Sequence, residues 1–446
     1  MDRNPLVRPL RRPAPGEKVY RLSEEEASQI RSLRARRTEL DPGMGGVSPA
    51  LIRRWMSEGA LLTSLDIMLT RQCNFACGYC YAEAGAVKEK LPFALIERVV
   101  RECPDVGVRM MVVTGGEPLL YRDAGKGFMD VAELVLGIYV SAAREIVLSV
   151  FSDVALITPE IARRLYDLKV ALCLKRDSLD RGIQDRLLGT PGGMARMEVG
   201  YQNLFEVGYG GQNSPPITVN SVFNVDTMHG MIRLHRWVRS HGMEHSIVPV
   251  HYCGRAEGDD QPSGITAFHV KVLYDLLSEI DAKEFNDPWH PFSAFPKNKT
   301  CNRNISGAHL RSNGLLAACS ESPDLDDYIF GDVRKQSLSE IVHGEKMRRF
   351  REEFPKGCGE YICNPEACDL NALDLCRGGC ATRSAYSRFD PDTGRIVPAP
   401  NLRGYIHRRE DPLCPAWARL AEIQGCIRPG LMESLKEALL LHQDKS

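Results

Sequence analysis

The feature that most limits the fold is a series of short apolar runs that alternate with amphipathic segments from Leu65 to His251. This alternation is typical of repeated βα units around a parallel sheet. Thr158 followed by Pro159 supports one helix start, since an N-cap oxygen precedes a proline at the first helical position. The sequence therefore predicts an α/β fold with six strands in a curved, open partial barrel. The predicted strands are 65–69, 110–114, 146–151, 170–174, 217–223 and 246–251, and the helices between them are 92–103, 128–144, 159–168, 194–205 and 228–240.

Three cysteines, Cys73, Cys77 and Cys80, follow the first predicted strand. Their CxxxCxxC spacing lets three thiolates hold one corner each of a [4Fe-4S] cluster, which leaves the fourth iron open. An open coordination position distinguishes a reactive metal site from a closed structural one. Zinc is the alternative metal, but zinc sites favour CxxC pairs and four ligands, and the sequence has no nearby histidine to complete such a set.

The second predicted strand ends in Thr114-Gly115-Gly116-Glu117-Pro118. Two glycines allow the backbone to approach a ligand closely, and the carboxylate beside them can accept hydrogen bonds from an ammonium group. A GGEP segment also suits an ordinary turn at a strand end. In parallel βα folds the ligand site lies at the carboxyl ends of the strands. The GGEP segment lies at such a strand end, one βα unit after the cysteines, and this position indicates a cofactor site.

These two motifs resemble those of the radical S-adenosylmethionine (SAM) superfamily, and the resemblance covers residues 65 to about 256. It implies that the open iron chelates the amino and carboxylate groups of SAM's methionine. Gly115, Gly116 and Glu117 would receive the amino group, and Tyr79 would lie near the adenine. It implies a 5'-deoxyadenosyl radical, formed by reductive cleavage of SAM, which abstracts hydrogen from an unactivated C–H bond. An external electron donor of the flavodoxin or ferredoxin type is implied as well.

Further residues match family positions less closely. Ser152 and Asp153 stand where many relatives have Thr-Asn-Gly, a segment that takes part in holding SAM, so Ser152 is a candidate SAM contact. The resemblance implies that Asp177 or Ser178 binds ribose hydroxyls and that Lys175 pairs with a carboxylate of SAM or substrate. Arg176 fits a solvated basic turn equally well. The other residues at family positions are Asn220, Asn224 and Arg255, of which Arg255 is expected to contact SAM or substrate.

A second group of cysteines contains Cys301, Gly314-x4-Cys319, Cys376-Arg-Gly-Gly-Cys380 and the late Cys414. This order resembles the SPASM extension of radical SAM enzymes, which implies two auxiliary [4Fe-4S] clusters and hence three clusters in all. By analogy Cys301, Cys319 and Cys380 hold the cluster nearer the active site, and Cys414 joins the middle cysteines in the distal cluster. The spacing after Cys363 departs from the usual CxxCx5CxxxC core, so the assignment of the middle cysteines stays open. A zinc-ribbon module is the alternative. The cysteines of this group are Cys301, Cys319, Cys358, Cys363, Cys368, Cys376, Cys380 and Cys414.

The motifs divide the chain into four parts: an N-terminal extension (1–63), a TIM-like partial barrel (64–290), a cysteine-rich C-terminal SPASM domain (291–416) and a helical tail (417–446). In the extension, Ser23 and Glu26 form a capping box that predicts a charged helix to about Arg37. The extension is shorter than the winged leader-peptide recognition domain that many peptide-modifying relatives carry.

Composition excludes several functions. Lys and Arg number 57 against 58 Asp and Glu, so no basic field is available to recruit nucleic acid or an anionic membrane. We expect a cytoplasmic protein, because the sequence shows neither a secretory signal nor an apolar run near the roughly 20 residues of a membrane span. Fifteen cysteines in a reducing compartment then indicate metal binding rather than disulfides.

Four cysteines lie outside the two groups. Cys103, Cys173 and Cys426 are expected to be small buried hydrophobes. Cys253 follows the sixth predicted strand on the active-site side, so it is the candidate hydrogen donor to a product radical.

The sequence thus predicts a radical SAM/SPASM oxidoreductase, with maturation of a ribosomal peptide as the first hypothesis, because peptide modification is the commoner activity of SPASM relatives. The alternative is the same chemistry on a small molecule, namely epimerisation, dehydrogenation or dehydration of a sugar, aminoglycoside or nucleoside. The short N-terminus and the Lys-Arg-Asp-Ser turn favour that alternative. A non-catalytic iron-sulfur electron-transfer protein is the third hypothesis, although it gives the GGEP segment no purpose.

Overall fold

A mostly parallel sheet forms the centre of the molecule. The computed structural model describes residues 5–40, 49–256, 264–289, 291, 306–353, 363–373, 376, 380–399 and 410–441. The six predicted strands are present, each within two residues of its predicted bounds. The strands of the sheet are β1 (Ser64–Met68), β2 (Met110–Thr114), β3 (Val147–Ser152), β4 (Ala171–Lys175), β5 (Ile217–Phe223), β6 (Glu244–Pro249), β7 (Gly307–Leu310), β8 (Leu315–Ala317) and β9 (Ile329–Asp332).

The sheet is longer than the six βα units alone. Its strand order is β9-β8-β7-β1-β2-β3-β4-β5-β6, with β1 to β6 pairing in parallel. Strand β7, which comes from the second cysteine region, pairs in parallel with β1 from Ser64↔Gly307 to Ile67↔Leu310. Strands β8 and β9 then continue antiparallel. Because β1 lies between two neighbours, all five of its residues are buried.

Helices cover the sheet. The predicted helices between the strands are all present, and one helix that sequence reasoning missed, Arg181–Leu188, precedes the predicted 194–205 helix. Its signals were there to find: Asp180 accepts from the Ile183 amide at 2.8 Å, and Gly189 closes the helix at a φ of 60°. The helices are α1 (Glu24–Leu40), α2 (Pro49–Ser57), α3 (Phe93–Val106), α4 (Phe128–Ser141), α5 (Pro159–Asp167), α6 (Arg181–Leu188), α7 (Gly193–Glu206), α8 (Met231–Ser240), α9 (Ala267–Glu284), α10 (Leu338–His343), α11 (Glu345–Glu353), α12 (Asp369–Ala372), α13 (Ala381–Tyr386), α14 (Pro415–Ile423) and α15 (Leu431–Leu440).

The N-terminal extension packs on the C-terminal region. The predicted capping box is present, since the Ser23 amide donates to Glu26 at 2.7 Å and the Glu26 amide donates to Ser23 at 3.1 Å. Before it, residues 5–22 form an N-terminal strap that pairs at one end with Ile427 and at the other with Cys368. The extension thus contributes its backbone to the cysteine-rich region instead of standing apart.

The C-terminal tail consists of α14 and α15, with a break that contains Gly425 and Pro429, the two residues at which the helical pattern of the sequence is interrupted. Among the described residues, no helix is both long and apolar enough to cross a membrane.

Candidate active site

The cysteine loop, residues 73–80, leaves the carboxyl end of β1 and is held by backbone hydrogen bonds. The Cys73 amide donates to Gly85 O at 3.0 Å, and the Ala76 amide donates to Leu188 O at 2.9 Å. Two sulfurs already accept backbone donors, from Phe75 N to Cys73 and from Ala84 N to Cys80, both at 3.4 Å. Such N–H···S bonds are a feature of cluster-binding cysteines and help set the cluster's potential.

The electrostatics of the loop suit thiolates that are paired with metal. Burial raises the pKa of Cys77 to about 12, against a lowering effect of the Lys175 charge, and burial also raises the pKa of Cys73. These thiols would therefore stay protonated at neutral pH unless cationic iron stabilised the thiolates. Among the described residues, no three or more Cys, His, Asp or Glu side chains are placed to hold a single ion. A cubane does not require this, because each thiolate binds a different iron.

The GGEP turn lies directly against the base of the cysteine loop. The Gly116 amide donates to Thr70 O at 2.7 Å, and the Glu117 amide donates to Gln72 O at 2.9 Å. A Cβ at Gly116 would lie 2.3 Å from Gln72 O, and one at Gly115 would lie 2.8 Å from Thr70 O. Only glycine fits at either position, so the two motifs are packed backbone to backbone.

The Glu117 side chain is fully buried and supports the turn from inside. Its carboxylate accepts from Leu119 N at 3.0 Å, from Ser152 Oγ at 3.1 Å and from Asp153 N at 2.8 Å. Burial and the nearby Asp153 carboxyl raise the pKa of Glu117 well above its usual range. Ser152 holds Glu117, and its predicted contact with SAM stays a prediction. An ammonium group beside these buried carboxyls would stabilise their charged forms.

Tyr79, Lys175 and Asp177 form one cluster between the loop and the end of β4, in which Asp177 is buried and the other two are half-buried. The Tyr79 hydroxyl donates to Asp177 Oδ2 at 2.5 Å, and Lys175 Nζ lies 2.7 Å from Asp177 Oδ1. The same ammonium is 4.6 Å from the centroid of the Tyr79 ring, within the range of a cation–π contact. Three residues expected to contact the cofactor are thus brought together.

Asp177 has further protein donors, which sequence reasoning missed. Val222 N donates at 2.7 Å, and Gln184 on α6 donates from its side chain at 3.4 Å. Its carboxylate is therefore already occupied by protein groups. Ser178 is also buried, and its Oγ accepts from Asp180 N at 3.0 Å at the start of α6. These contacts give both residues a structural role beside the ribose contact predicted for them.

The structure also places three other residues that the sequence singled out. Arg255 Nη1 donates to Cys77 O at 2.8 Å and Arg255 N donates to Cys80 O at 3.1 Å, so this residue supports the cysteine loop. Asn220, on β5, donates to Ser246 Oγ at 3.4 Å. Arg176 is not a solvated turn residue, because it is 4% exposed and its guanidinium lies 5.0 Å from the Trp237 ring. The aromatic rings of α7 and α8 shield it from water.

Cys319 and Cys380, which we call the inner auxiliary site, are connected through the end of β6. Arg383 Nη2 donates to His251 Nε2 at 3.1 Å, and His251 Nδ1 lies 2.5 Å from Glu321, two residues beyond Cys319. Arg383 N donates to Cys380 Sγ at 3.5 Å. His251 follows β6 at the carboxyl end of the sheet, so this site adjoins the mouth of the barrel.

Cys368, Cys376 and Cys414 form a separate outer auxiliary site. They pack around Ile30 of α1 and Tyr20 of the strap. Burial and the neighbouring Cys376 and Cys368 raise the pKa of Cys414 well above its usual range. These three cysteines therefore share one cluster of side chains, and Asp411, which accepts from the Cys380 amide, lies next to Cys414 as well.

The remaining cysteines are placed as follows. Cys363 donates its amide to Glu410 at 3.3 Å and is half-buried, while Cys301 and Cys358 lie outside the described residues. Cys103, Cys173 and Cys426 are buried, which is the position expected of them. Cys253 is buried near the end of β6, and its predicted role as hydrogen donor stays a prediction.

Sequence comparison with known families agrees with this geometry. Residues 67–199 match the model of the Radical SAM superfamily, and residues 301–369 match that of the SPASM iron-sulfur cluster-binding domain. The chain therefore contains a radical SAM domain followed by a SPASM domain. These two domains imply that the cofactors of this chain are [4Fe-4S] clusters and SAM. Relatives that match most of this chain are named as enzymes, the AdoMet-dependent heme synthase and the PqqA peptide cyclase, which argues against the third hypothesis, a non-catalytic electron-transfer protein.

Curated relatives act on different substrates. The chain is 31% identical over 134 residues to a probable GTP 3',8-cyclase of Methanopyrus kandleri, a match that covers 28% of this chain and only 44% of the cyclase. It is 29% identical over 375 residues to the AdoMet-dependent heme synthase of Nitratidesulfovibrio vulgaris, covering 78% and 90% of the two chains. It is 24% identical over 393 residues to the PqqA peptide cyclase of Xanthomonas axonopodis pv. citri, covering 80% and 98%.

Solved structures share the fold. SuiB of Streptococcus suis bound to the precursor peptide SuiA aligns with a TM-score of 0.58 at 14% identity, over 81% of this chain and 79% of SuiB. The protein anSMEcpe with bound AdoMet and Cp18Cys peptide aligns with a TM-score of 0.59 at 15% identity, over 84% and 99%. At these identities the similarity establishes the fold, a partial barrel with a SPASM domain.

Proposed function

We propose that this radical SAM/SPASM enzyme activates an unreactive C–H bond in a peptide substrate. The observation that carries the proposal is the packing of the GGEP turn against the base of the cysteine loop, where the glycine backbone meets Thr70 and Gln72 just before Cys73. We assign Cys73, Cys77 and Cys80 to the SAM-binding cluster, and the inner and outer auxiliary sites to one cluster each. The four parts of the chain given by the motifs belong to the same proposal.

The bound cofactors supply the radical chemistry, since one-electron reduction of SAM at a [4Fe-4S] cluster yields a 5'-deoxyadenosyl radical. The protein orients and protects that chemistry. Lys175 and Asp177 hold Tyr79 beside Cys77, and Arg255 fixes the loop carbonyls from the far side. Burial of Glu117 keeps the turn in a dry, preorganised shape. An external flavodoxin-type or ferredoxin-type donor would supply the electron.

Two observations favour a peptide. The PqqA peptide cyclase matches this chain over 80% of its length, and both SuiB and anSMEcpe have structures with bound peptides. A small-molecule substrate is the second candidate, and it has support from the GTP 3',8-cyclase match and from the buried Lys175–Asp177 charge pair at the end of β4. The same radical chemistry serves both.

The chemistry is tested by anaerobic reconstitution of the full chain, followed by dithionite and SAM. We expect 5'-deoxyadenosine by liquid chromatography and about twelve irons per chain, four for each of three clusters. Absence of 5'-deoxyadenosine from a chain that holds about twelve irons would contradict the proposed radical generation. Fewer than about eight irons would contradict the two auxiliary clusters.

The substrate class is tested with short peptides encoded beside the gene, made synthetically and incubated with the reconstituted enzyme. We expect 5'-deoxyadenosine formation to increase and the peptide mass to change. If GTP or a sugar nucleotide stimulates 5'-deoxyadenosine formation and the peptides do not, the small-molecule candidate replaces the peptide one.

A further inference from the structure

Two opposed charges lie beside Cys380 in the interior of the protein. Arg383 is 1% exposed and Asp411 is 2% exposed, and the guanidinium meets the carboxylate through Nη1 at 2.8 and 2.9 Å. Burying a charge is costly unless it is paired, and removing one partner leaves the other uncompensated. The two opposite charges of this buried pair therefore compensate each other, and each acts strongly on neighbouring groups because little water screens it.

The pair is tied to Cys380 through the Arg383 backbone amide and the Asp411 carboxylate. Arg383 N donates to Cys380 Sγ at 3.5 Å, and Cys380 N donates to Asp411 Oδ2 at 2.8 Å. The Arg383 guanidinium is a fixed cation, because arginine is not deprotonated in proteins. Its Nε–H is buried and has no hydrogen-bond acceptor among the described residues. A cluster sulfide bound at Cys380 would supply an acceptor of the kind that this donor lacks.

The pair also connects Cys380 to the barrel. Arg383 Nη2 faces His251 Nε2, and a guanidinium can only donate, so Nε2 must be the unprotonated nitrogen. A neutral His251 then carries its proton on Nδ1, 2.5 Å from Glu321. His251 follows β6 at the carboxyl end of the sheet, so the inner auxiliary site is the one beside the reaction chamber.

We propose that Arg383 and Asp411 are a positioning pair that sets the reduction potential of the cluster held by Cys380. Net charge and hydrogen bonds to sulfur are the two main controls on the potential of such clusters. The cation stabilises the reduced, more negative cluster and raises the potential, while the anion lowers it. This inference rests on the proposed function, because it requires an auxiliary cluster at Cys380.

The test is a redox titration of the reconstituted full chain, monitored by electron paramagnetic resonance. Arg383→Met removes the cation and leaves the anion, so we expect the ratio of reduced to oxidised inner cluster to fall about tenfold at a fixed potential, a negative shift of about 59 mV for one electron. Asp411→Asn should shift the ratio about as far in the opposite direction. The double variant should return toward the wild-type potential.

The SAM-binding cluster, identified by the change in its spectrum when SAM is added, should keep its potential in every variant. Arg388→Met, which removes an exposed arginine of the nearby 387–389 strand, is the matched control and should change nothing. If Arg383→Met loses its iron, Arg383→Lys replaces it and should keep the wild-type potential, because the charge remains.

Shifts of the same sign in Arg383→Met and Asp411→Asn, or no shift in either, would overturn the inference. A large shift in Arg383→Lys would overturn it as well. If the wild-type chain shows only the SAM-binding cluster and about four irons, the two-auxiliary-cluster part of the proposed function is wrong instead.

Discussion

The cysteine loop and the inner auxiliary site are held in place by different means. The loop's three cysteines lie within eight residues at the end of one strand, and short-range backbone hydrogen bonds shape it. The inner site joins Cys319 to Cys380 through His251 and Arg383, which are 132 positions apart. The cysteine loop is thus determined by the local spacing of its residues. The inner auxiliary site forms only when the barrel and the SPASM domain pack against each other.

The largest expected effect separates the loop from the auxiliary sites. Cys77→Ser should reduce 5'-deoxyadenosine to the background of the metal-free chain and remove about four of about twelve irons, because only one cluster loses a ligand. Iron analysis and the 5'-deoxyadenosine assay measure this. Cys103→Ser is the control and should keep both values, since Cys103 donates only to Val99 O within α3. Retained activity in Cys77→Ser would remove the loop from the active site.

The second prediction concerns the charge cluster beside the loop. Asp177→Asn leaves Lys175 buried without its ion pair, so we expect a loss of about 4 kcal/mol in the free energy of unfolding. Tyr79→Phe removes one hydroxyl and should cost only about 1 kcal/mol. Denaturant unfolding under anaerobic conditions compares the two. Equal losses would show that the Lys175–Asp177 pair does not stabilise the loop region.

The third prediction extends the comparison to the outer auxiliary site. Ile30 is fully buried against Cys368 and Leu370, so Ile30→Ala should cost about 3 kcal/mol and promote loss of iron from the outer cluster only. Val7→Ala is the control on the strap, because Val7 is 59% exposed. Iron retention during incubation in air is the measurement. A faster loss of the SAM-binding cluster in Ile30→Ala would contradict the separation of the two sites.

The smallest expected effect tests how Arg255 acts. Because it donates to Cys77 O, Arg255→Met should cost about 1 kcal/mol and speed the loss of the SAM-binding cluster in air. The affinity for SAM, measured by equilibrium dialysis, should change less than the rate of cluster loss. A large fall in SAM affinity with an unchanged cluster would favour the direct SAM contact that the family resemblance implies.

Sequence reasoning was most successful where the signal was local. The strands β2 and β5 have the predicted bounds, and the capping box at Ser23 forms as expected. Helix α6 was missed although Asp180 and Gly189 mark its ends, because its eight residues are short for a periodic pattern. The sequence left open whether Arg176 is solvated, because its exposure depends on the rings of Tyr201 and Trp237, which pack over it from two other elements.

The contacts of the N-terminal strap could not be predicted from the sequence either, because they join residues that are far apart in the chain. Nothing in residues 5–22 indicates that Val19 N donates to Ala367 O at 2.7 Å or that Asp369 N donates to Tyr20 O at 2.9 Å. Backbone pairing depends on which chain segments meet, and a single sequence carries no record of that. The extension had no assigned role from sequence, and its contact with the outer auxiliary site came from the structure alone.

The sequence by itself determined the βα order, the cysteine loop and the GGEP turn, because strand periodicity, thiolate spacing and glycine's small size act over a few residues. Only the tertiary structure decided that β7 to β9 extend the barrel sheet, that Ser152 holds Glu117, and that Arg383 and Asp411 meet at Cys380. Such contacts join residues far apart in the chain, and their energies depend on burial, which arises only when the whole fold excludes water.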